Sequence, residues 1–300
     1  MPLAHTYRIL TGKSQSAKLF GKKFNQKSQS AMEYLMTYGW AILIIAVVLG
    51  VLFQLGVFSG SALTPKAAPG ACQVVRLGGQ ASLEGECQGQ LPQYVAQFSS
   101  PTGLITAATS GSTTAITVSF WYYLPSWSNT TAPYPQIFAA GNYLVYFGMS
   151  SDKPAYVDLR VNLYANANSN VYPGSWTFFT GTYNGVTVTA YNNGQAHSTA
   201  PSNIPIGSYG TMVFGIQGNN YVFLNSEIAN IQVYNVSLNA NEVEALYLEG
   251  IGGAPIKIQN LVGWWPLNGN AQDYSGNNNN GQIISNVVFN STWQRVYTPP

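Results

Sequence analysis

The chain has 300 residues, of which only 7% are charged and 46% are hydrophobic, with 20 tyrosines and 30 glycines. So few charges exclude a nucleic-acid binder working through a basic surface, and the composition is that of a displayed β-rich protein rather than a cytosolic enzyme. The net charge of +2 hides an asymmetry: residues 1–28 hold Arg8, Lys13, Lys18, Lys22, Lys23 and Lys27 and no acid, so the remainder is net acidic.

The first 28 residues are polar and basic, lack apolar periodicity, and predict a leader without fixed structure. Residues 29–58 predict one continuous helix. Glu33 is its one acid, and from Tyr34 to Phe58 no charge interrupts it. At 1.5 Å per residue the uncharged part is about 36 Å long, enough to cross a bilayer core. A basic leader before an apolar helix puts the leader in the cytoplasm and the C-terminal bulk outside. Gly39, Gly50 and Gly56 weaken a helix in water but permit close approach of helices in a bundle.

Residues 59–92 form a Gly/Pro/Ser-punctuated linker holding Cys72 and Cys87, the only cysteines. Both fall on the outer side, and one pair allows one intramolecular disulfide.

From residue 93 to 300 the pattern is of short alternating segments bounded by turn residues: 115–124, 143–149, 155–165, 175–184 and 185–194. They are rich in β-branched and aromatic residues. In the last, Val186, Val188 and Ala190 share one face and Thr187, Thr189 and Tyr191 the other, as in a half-buried strand. Asn193-Gly194 supplies a hairpin turn. The one convincing helix begins at the N-cap Asn239, with Glu242 three residues on, and stops at Gly250. The fold class expected is an N-terminal filament-core or transmembrane α-helix followed by an all-β, two-sheet antiparallel jelly-roll sandwich with one short helix.

Catalysis is not expected. Retaining glycoside chemistry needs two carboxyl groups about 5–5.5 Å apart. Glu242 and Glu244 lie on the short helix, Glu84 and Glu86 in the cysteine loop, and only Asp152 and Asp158 fall in a strand region. In the loop LPSWSNTTAPYPQ, Trp127 and Tyr134 are candidate stacking platforms for a sugar; capping the sandwich is the plainer role for each. Asn129, Asn235 and Asn290 open N-x-S/T sequons and are candidate glycan acceptors.

Two resemblances extend this reading. Lys27, Ser28, Gln29, Ala31 and Glu33, followed by YLMTYGWAILIIAVVLGVLF, resemble the archaeal type IV pilin-like proteins with a class III signal peptide. The resemblance implies cutting by a prepilin peptidase between Ser28 and Gln29. It also implies assembly as a homopolymer through the helix, with Glu33 pairing with the freed amine of Gln29 on a neighbour. The chain would then reach the cell surface through a single-pass membrane intermediate. The usual glycine before the cut is Ser28 here. The plain alternative is a membrane-tethered carbohydrate-binding module that never polymerises; a third is a glycan-processing enzyme, against which the scarcity of acids argues.

The second resemblance covers the C-terminal two-thirds. Trp176 to Gln195, Glu227 to Tyr247 and Leu261 to Ile283 resemble three pieces of the laminin-G-like, concanavalin A-like jelly rolls. The last piece comes first in relatives, which implies a circular permutation. The family implies a glycan or cell-surface ligand, sometimes with calcium; the run Asp273 to Gly281 offers oxygen ligands, but one carboxylate makes a poor calcium site and an Asx turn explains the run equally well.

Overall fold

The computed structural model describes residues 24–54, 66–67, 91–98, 103–125, 136–140, 145–149, 156–161, 165–170, 172–202, 206–208, 210–217 and 226–300. The chain divides into two units, Met1–Phe58 and Ser59–Pro300.

In the first unit, helix α1 runs over Phe24–Gln54, starting inside the basic stretch rather than at Gln29. Its apolar residues occupy every side of the helix. Ile42, Leu43, Ile44 and Ile45 follow one another and all are exposed, and among the exposed large apolar side chains from Met36 to Val51 exposure runs from 47% at Leu49 to 67% at Met36. Among the described residues no helix is long and apolar enough to cross a membrane.

The second unit is built from β1 (Lys66–Ala67), β2 (Leu91–Pro92), β3 (Val95–Phe98), β4 (Leu104–Ala108), β5 (Ser112–Thr113), β6 (Ile116–Tyr123), β7 (Gln136–Ala140), β8 (Val145–Met149), β9 (Tyr156–Val161), β10 (Ala165–Asn170), β11 (Trp176–Tyr183), β12 (Thr187–Asn192), β13 (Gln195–Pro201), β14 (Gly207–Ser208), β15 (Thr211–Gln217), β16 (Ser226–Tyr234), α2 (Ala240–Leu248), β17 (Leu261–Trp265), β18 (Gly281–Ser285) and β19 (Val287–Asn290). Two antiparallel sheets pack face to face. The inner sheet has the order β13-β12-β11-β6-β16-β3-β19, with β17 also paired to β16; the outer sheet has the order β10-β9-β8-β7-β15-β4-β18.

The C-terminal piece completes both sheets. β18 pairs with β4 at one edge of the outer sheet, and β19 pairs with β3 at the edge of the inner one. The two strands are joined through Asn286, at φ 46°.

The main core lies between the sheets. Phe120, Tyr122, Phe179, Val188, Ile228 and Val233 come from the inner sheet, and Ile105, Phe138, Met212 and Phe214 from the outer one. A second apolar cluster lies on the far side of the inner sheet, under α2 and the C-terminal segment; Trp121, Phe178, Ala229, Val243, Leu246, Trp264, Trp293 and Tyr297 belong to it. The inner sheet is therefore covered on both faces, and β6 and β11 are buried along almost their whole length.

Several local expectations are met. Asn193 and Gly194 both have positive φ, 48° and 79°, as a two-residue hairpin requires. Asn239 and Glu242 form a reciprocal capping box, and Gly250 follows α2 at φ 77°. Two details differ. Val186 lies before β12 and is exposed, while Tyr191, on the face opposite Val188 and Ala190, is buried in the second apolar cluster rather than left to solvent. Residues 155–165 are not one strand but β9 and the start of β10.

Candidate functional site

The far face of the inner sheet is built as cross-strand rows. Trp176 stands opposite Tyr123, Tyr123 opposite Glu227, and Glu227 opposite Gln97. The next row holds Phe178, Trp121 and Ala229. Trp121 lies 5.3 Å from Phe178, stacks on Tyr247 at 5.8 Å and meets Tyr297 edge-on at 5.4 Å, while Trp293 meets Trp176 edge-on at 5.7 Å. Such pairs add about 0.5–1.5 kcal/mol each beyond burial.

Beside them Asn230, at φ 53° in the bulge of β16, gathers a polar network. Its Oδ1 accepts from Trp264 Nε1 at 2.7 Å and from Gln232 Nε2 at 3.1 Å, and its Nδ2 donates to the Gly253 carbonyl at 2.8 Å. Tyr234 OH donates to Gln232 Oε1 at 2.6 Å. These contacts lock the covering layer to the sheet.

Glu227, which the sequence analysis did not single out, is the one buried carboxylate among the described residues, 4% exposed. Its Oε1 accepts from Asn290 Nδ2 at 2.5 Å, while Oε2 has no partner, nor do the indole N–H groups of Trp121 and Trp176. Burial pushes the Glu227 carboxyl up from the ordinary carboxylate range, and the Asn290 bond only partly offsets this. An acid within the apolar strand SEIANIQVY was the available signal. No second carboxylate is buried among the residues whose burial is described.

The outer sheet differs. Ile283, Ile105, Phe214, Phe138, Phe147, Leu159 and Ala167 make one continuous row across seven strands. Ile105, Phe138 and Phe214 of that row belong to the core. The adjacent row is Gln282, Thr106, Val213, Ala139, Tyr146, Arg160 and Asn166. Because successive residues alternate between faces, this second row belongs to the sheet's outward face. It spans about 29 Å at 4.8 Å per strand. Ala139 of that row is buried, at 6% exposed.

Lys27, Ser28, Gln29 and Glu33 lie in the backbone of α1. Trp127, Tyr134, Asn129, Asp152, Cys72, Cys87, Glu84 and Glu86 lie outside the described residues. Asp273 is fully engaged by its own loop: Oδ1 accepts from the N–H groups of Trp264 (3.0 Å) and Ser275 (2.9 Å), and Oδ2 from Asn279 N–H (2.9 Å). Asn277 Nδ2 donates to the Leu261 and Val262 carbonyls, so the run is tied to β17 as an Asx-type turn. Among the described residues no three His, Cys, Asp or Glu side chains gather as a metal site. Asn235 is exposed, and its Oδ1 accepts from Asn260 Nδ2 at 3.1 Å. Asn290 spends its Nδ2 on Glu227.

Residues 99–244 match the concanavalin A-like lectin/glucanase superfamily, as its laminin-G-like branch. Over those residues the sandwich is similar to the concanavalin A-like jelly rolls. Solved structures agree in fold. A protein of Bacteroides ovatus ATCC 8483, named as carbohydrate-binding, is 12% identical with a TM-score of 0.52, the match covering 67% of this chain and 61% of that one. The chain thus spans less than two thirds of that protein's length. The heptameric SAP-like pentraxin of Limulus polyphemus is 14% identical with a TM-score of 0.50, covering 66% of this chain and 94% of its own. No curated protein matches the chain. The match leaves out β3 and stops before β17, β18, β19 and the C-terminal segment that covers the inner sheet.

Proposed function

We propose that the chain is a structural subunit of an archaeal type IV-like pilus, with α1 buried among copies of itself in the filament core and the jelly roll displayed for adhesion through glycan recognition. One observation carries this reading. Every side of α1 between Met36 and Val51 is apolar and exposed, and a helix apolar all round needs covering by other helices or by lipid. The sequence around Lys27, Ser28, Gln29 and Glu33 favours other copies. Cutting between Ser28 and Gln29 by a prepilin peptidase would free an amine for Glu33 of a neighbour to pair with where water is scarce. Before assembly the helix would rest in the membrane, its leader in the cytoplasm. A Cys72–Cys87 disulfide would tighten the linker outside the cell.

The jelly roll's likeness to a protein named as carbohydrate-binding supports the recognition half. That half is proposed as binding rather than catalysis; the Asp273 oxygens accept from backbone N–H groups, which speaks against calcium at that loop. The test is Glu33→Ala in the producing cell. Filaments are expected to disappear while the protein stays in the membrane; filaments undiminished in number and length would overturn the proposal in favour of a plain tether.

A further inference from the structure

We propose that Asn184 is a site of spontaneous covalent modification: the asparagine at which the folded sandwich loses a side-chain amide and acquires aspartate or isoaspartate. The inference is independent of the pilus reading and of glycan recognition, and it rests on the turn between β11 and β12.

Asparagine followed by glycine is where this chemistry is least hindered, because the glycine nitrogen reaches the preceding carboxamide with no side chain in its way. The chain has Asn-Gly at Asn184, Asn193, Asn268 and Asn280, and the fold treats them differently. Three have their carboxamide tied to a residue seven or more positions away. Asn193 Oδ1 accepts from the Phe178 N–H at 2.9 Å, and Gly194 is buried, with no room for a Cβ beside Tyr247. Asn268 is 7% exposed, and its Oδ1 accepts from the Tyr94 N–H at 2.9 Å. Asn280 Oδ1 accepts from the Asp273 N–H at 3.0 Å, while the nitrogen that would attack it, that of Gly281, donates to the Ala271 carbonyl at 2.7 Å. These bonds hold each carboxamide, and at Asn280 the nitrogen too, out of reaction.

Asn184 is held in the opposite sense. It is exposed, and its Oδ1 accepts from the N–H groups of Val186 at 2.9 Å and Thr187 at 2.8 Å. This is an Asx turn, in which the carboxamide folds back over its own chain, alongside the Gly185 peptide. Gly185 has φ 94°, and a Cβ built on it would meet nothing nearer than the Thr114 carbonyl at 3.5 Å, so the surroundings of the attacking residue are open.

The same two N–H groups serve the reaction. The Gly185 nitrogen gives its proton to water and bonds to Asn184 Cγ, and the Cγ–Oδ1 π pair moves onto Oδ1. Two donors already stand at that oxygen, and preorganised donors lower the barrier to a developing oxyanion. The Cγ–Nδ2 bond then breaks, and Nδ2 takes a proton from water and leaves as ammonia. Water opens the cyclic imide at either carbonyl, giving aspartate or isoaspartate. Aspartate keeps an oxygen for both N–H groups. Isoaspartate lengthens the backbone between Tyr183 and Val186 and breaks the turn.

The experiment incubates the full chain in detergent at mildly alkaline pH, folded and, in parallel, unfolded in urea. Peptide mapping by mass spectrometry follows all four asparagines over weeks, and labelling by an isoaspartyl methyltransferase identifies the isoaspartate. In the folded protein Asn184 is expected to convert about tenfold or more faster than Asn193, Asn268 or Asn280. In urea, where only the shared Asn-Gly sequence is left, the four rates should draw together. A folded-state rate at Asn184 no higher than at the other three would overturn the assignment. So would slowing of Asn184 by folding to the same degree as the others, since the turn would then shield the carboxamide rather than present it.

Discussion

The side-chain amide of Asn290 donates to the Glu227 carboxylate at 2.5 Å, joining the last strand of the chain to the middle of the inner sheet. Among the described residues Asn290 is the one hydrogen-bond partner of that carboxylate, whose other oxygen is buried and unpartnered. Asn290→Ala strips the buried acid of its donor. The loss expected is about 1–3 kcal/mol, a fall of several degrees in melting temperature. The pH dependence follows from the raised folded-state value. The folded protein holds the Glu227 proton more tightly than the unfolded chain, so its stability contribution is complete below the ordinary carboxylate range. It is then lost as pH rises through the folded value. Glu227→Gln keeps the acceptor for Asn290 and removes that decline. Melting curves from pH 4 to pH 8 should slope downward for the natural protein and run flatter for the variant.

Occupancy of the sequons should follow the same geometry. Transfer of a glycan to asparagine needs a free Nδ2. Asn235 is exposed, with only its Oδ1 engaged, whereas Asn290 has its Nδ2 on Glu227. Glycopeptide mass spectrometry of the surface protein is expected to find sugar on Asn235 and none on Asn290.

Asp273 is a turn residue rather than a calcium ligand. Three backbone N–H groups converge on its two oxygens. Asp273→Ala should cost about 2–3 kcal/mol, and millimolar calcium should leave the melting temperature of the natural protein where it was. A rise on adding calcium, abolished in the variant, would show that the carboxylate does reach a cation.

Trp293 holds the covering layer down. It meets Trp176 edge-on at 5.7 Å and Tyr297 at 5.6 Å, and is 2% exposed. Trp293→Ala should cost about 3–5 kcal/mol and open the inner sheet to a hydrophobic dye. Unchanged melting and no dye uptake would mean that the cluster closes without it.

What could be read from the sequence was local. The capping box at Asn239 and Glu242 and the Asn193-Gly194 turn each place their chemistry within four residues, so composition alone reveals them. Alternation was a poorer guide where the fold is layered. Trp176 to Tyr183 is buried on both faces because α2 and Trp293 return to cover the side that a plain sandwich leaves to solvent. Nothing near Thr177 or Thr180 announces this. The Ala165–Asn170 strand was invisible for another reason: alanine and asparagine are poor strand formers, and its pairing with β9 supplies what propensity does not. Glu227 was overlooked because its partner is 63 residues away. The outward face of the outer sheet went unread with it, since its rows exist only once seven strands are in register.

The central claim is that the apolar helix survives maturation and is buried among copies of itself. The most direct test is the N-terminal mass of this protein recovered from filaments sheared off the cell surface. A mature chain beginning at Gln29, present in the filament fraction, is the predicted result. A chain beginning beyond Phe58, or one found only outside the filaments, would contradict it.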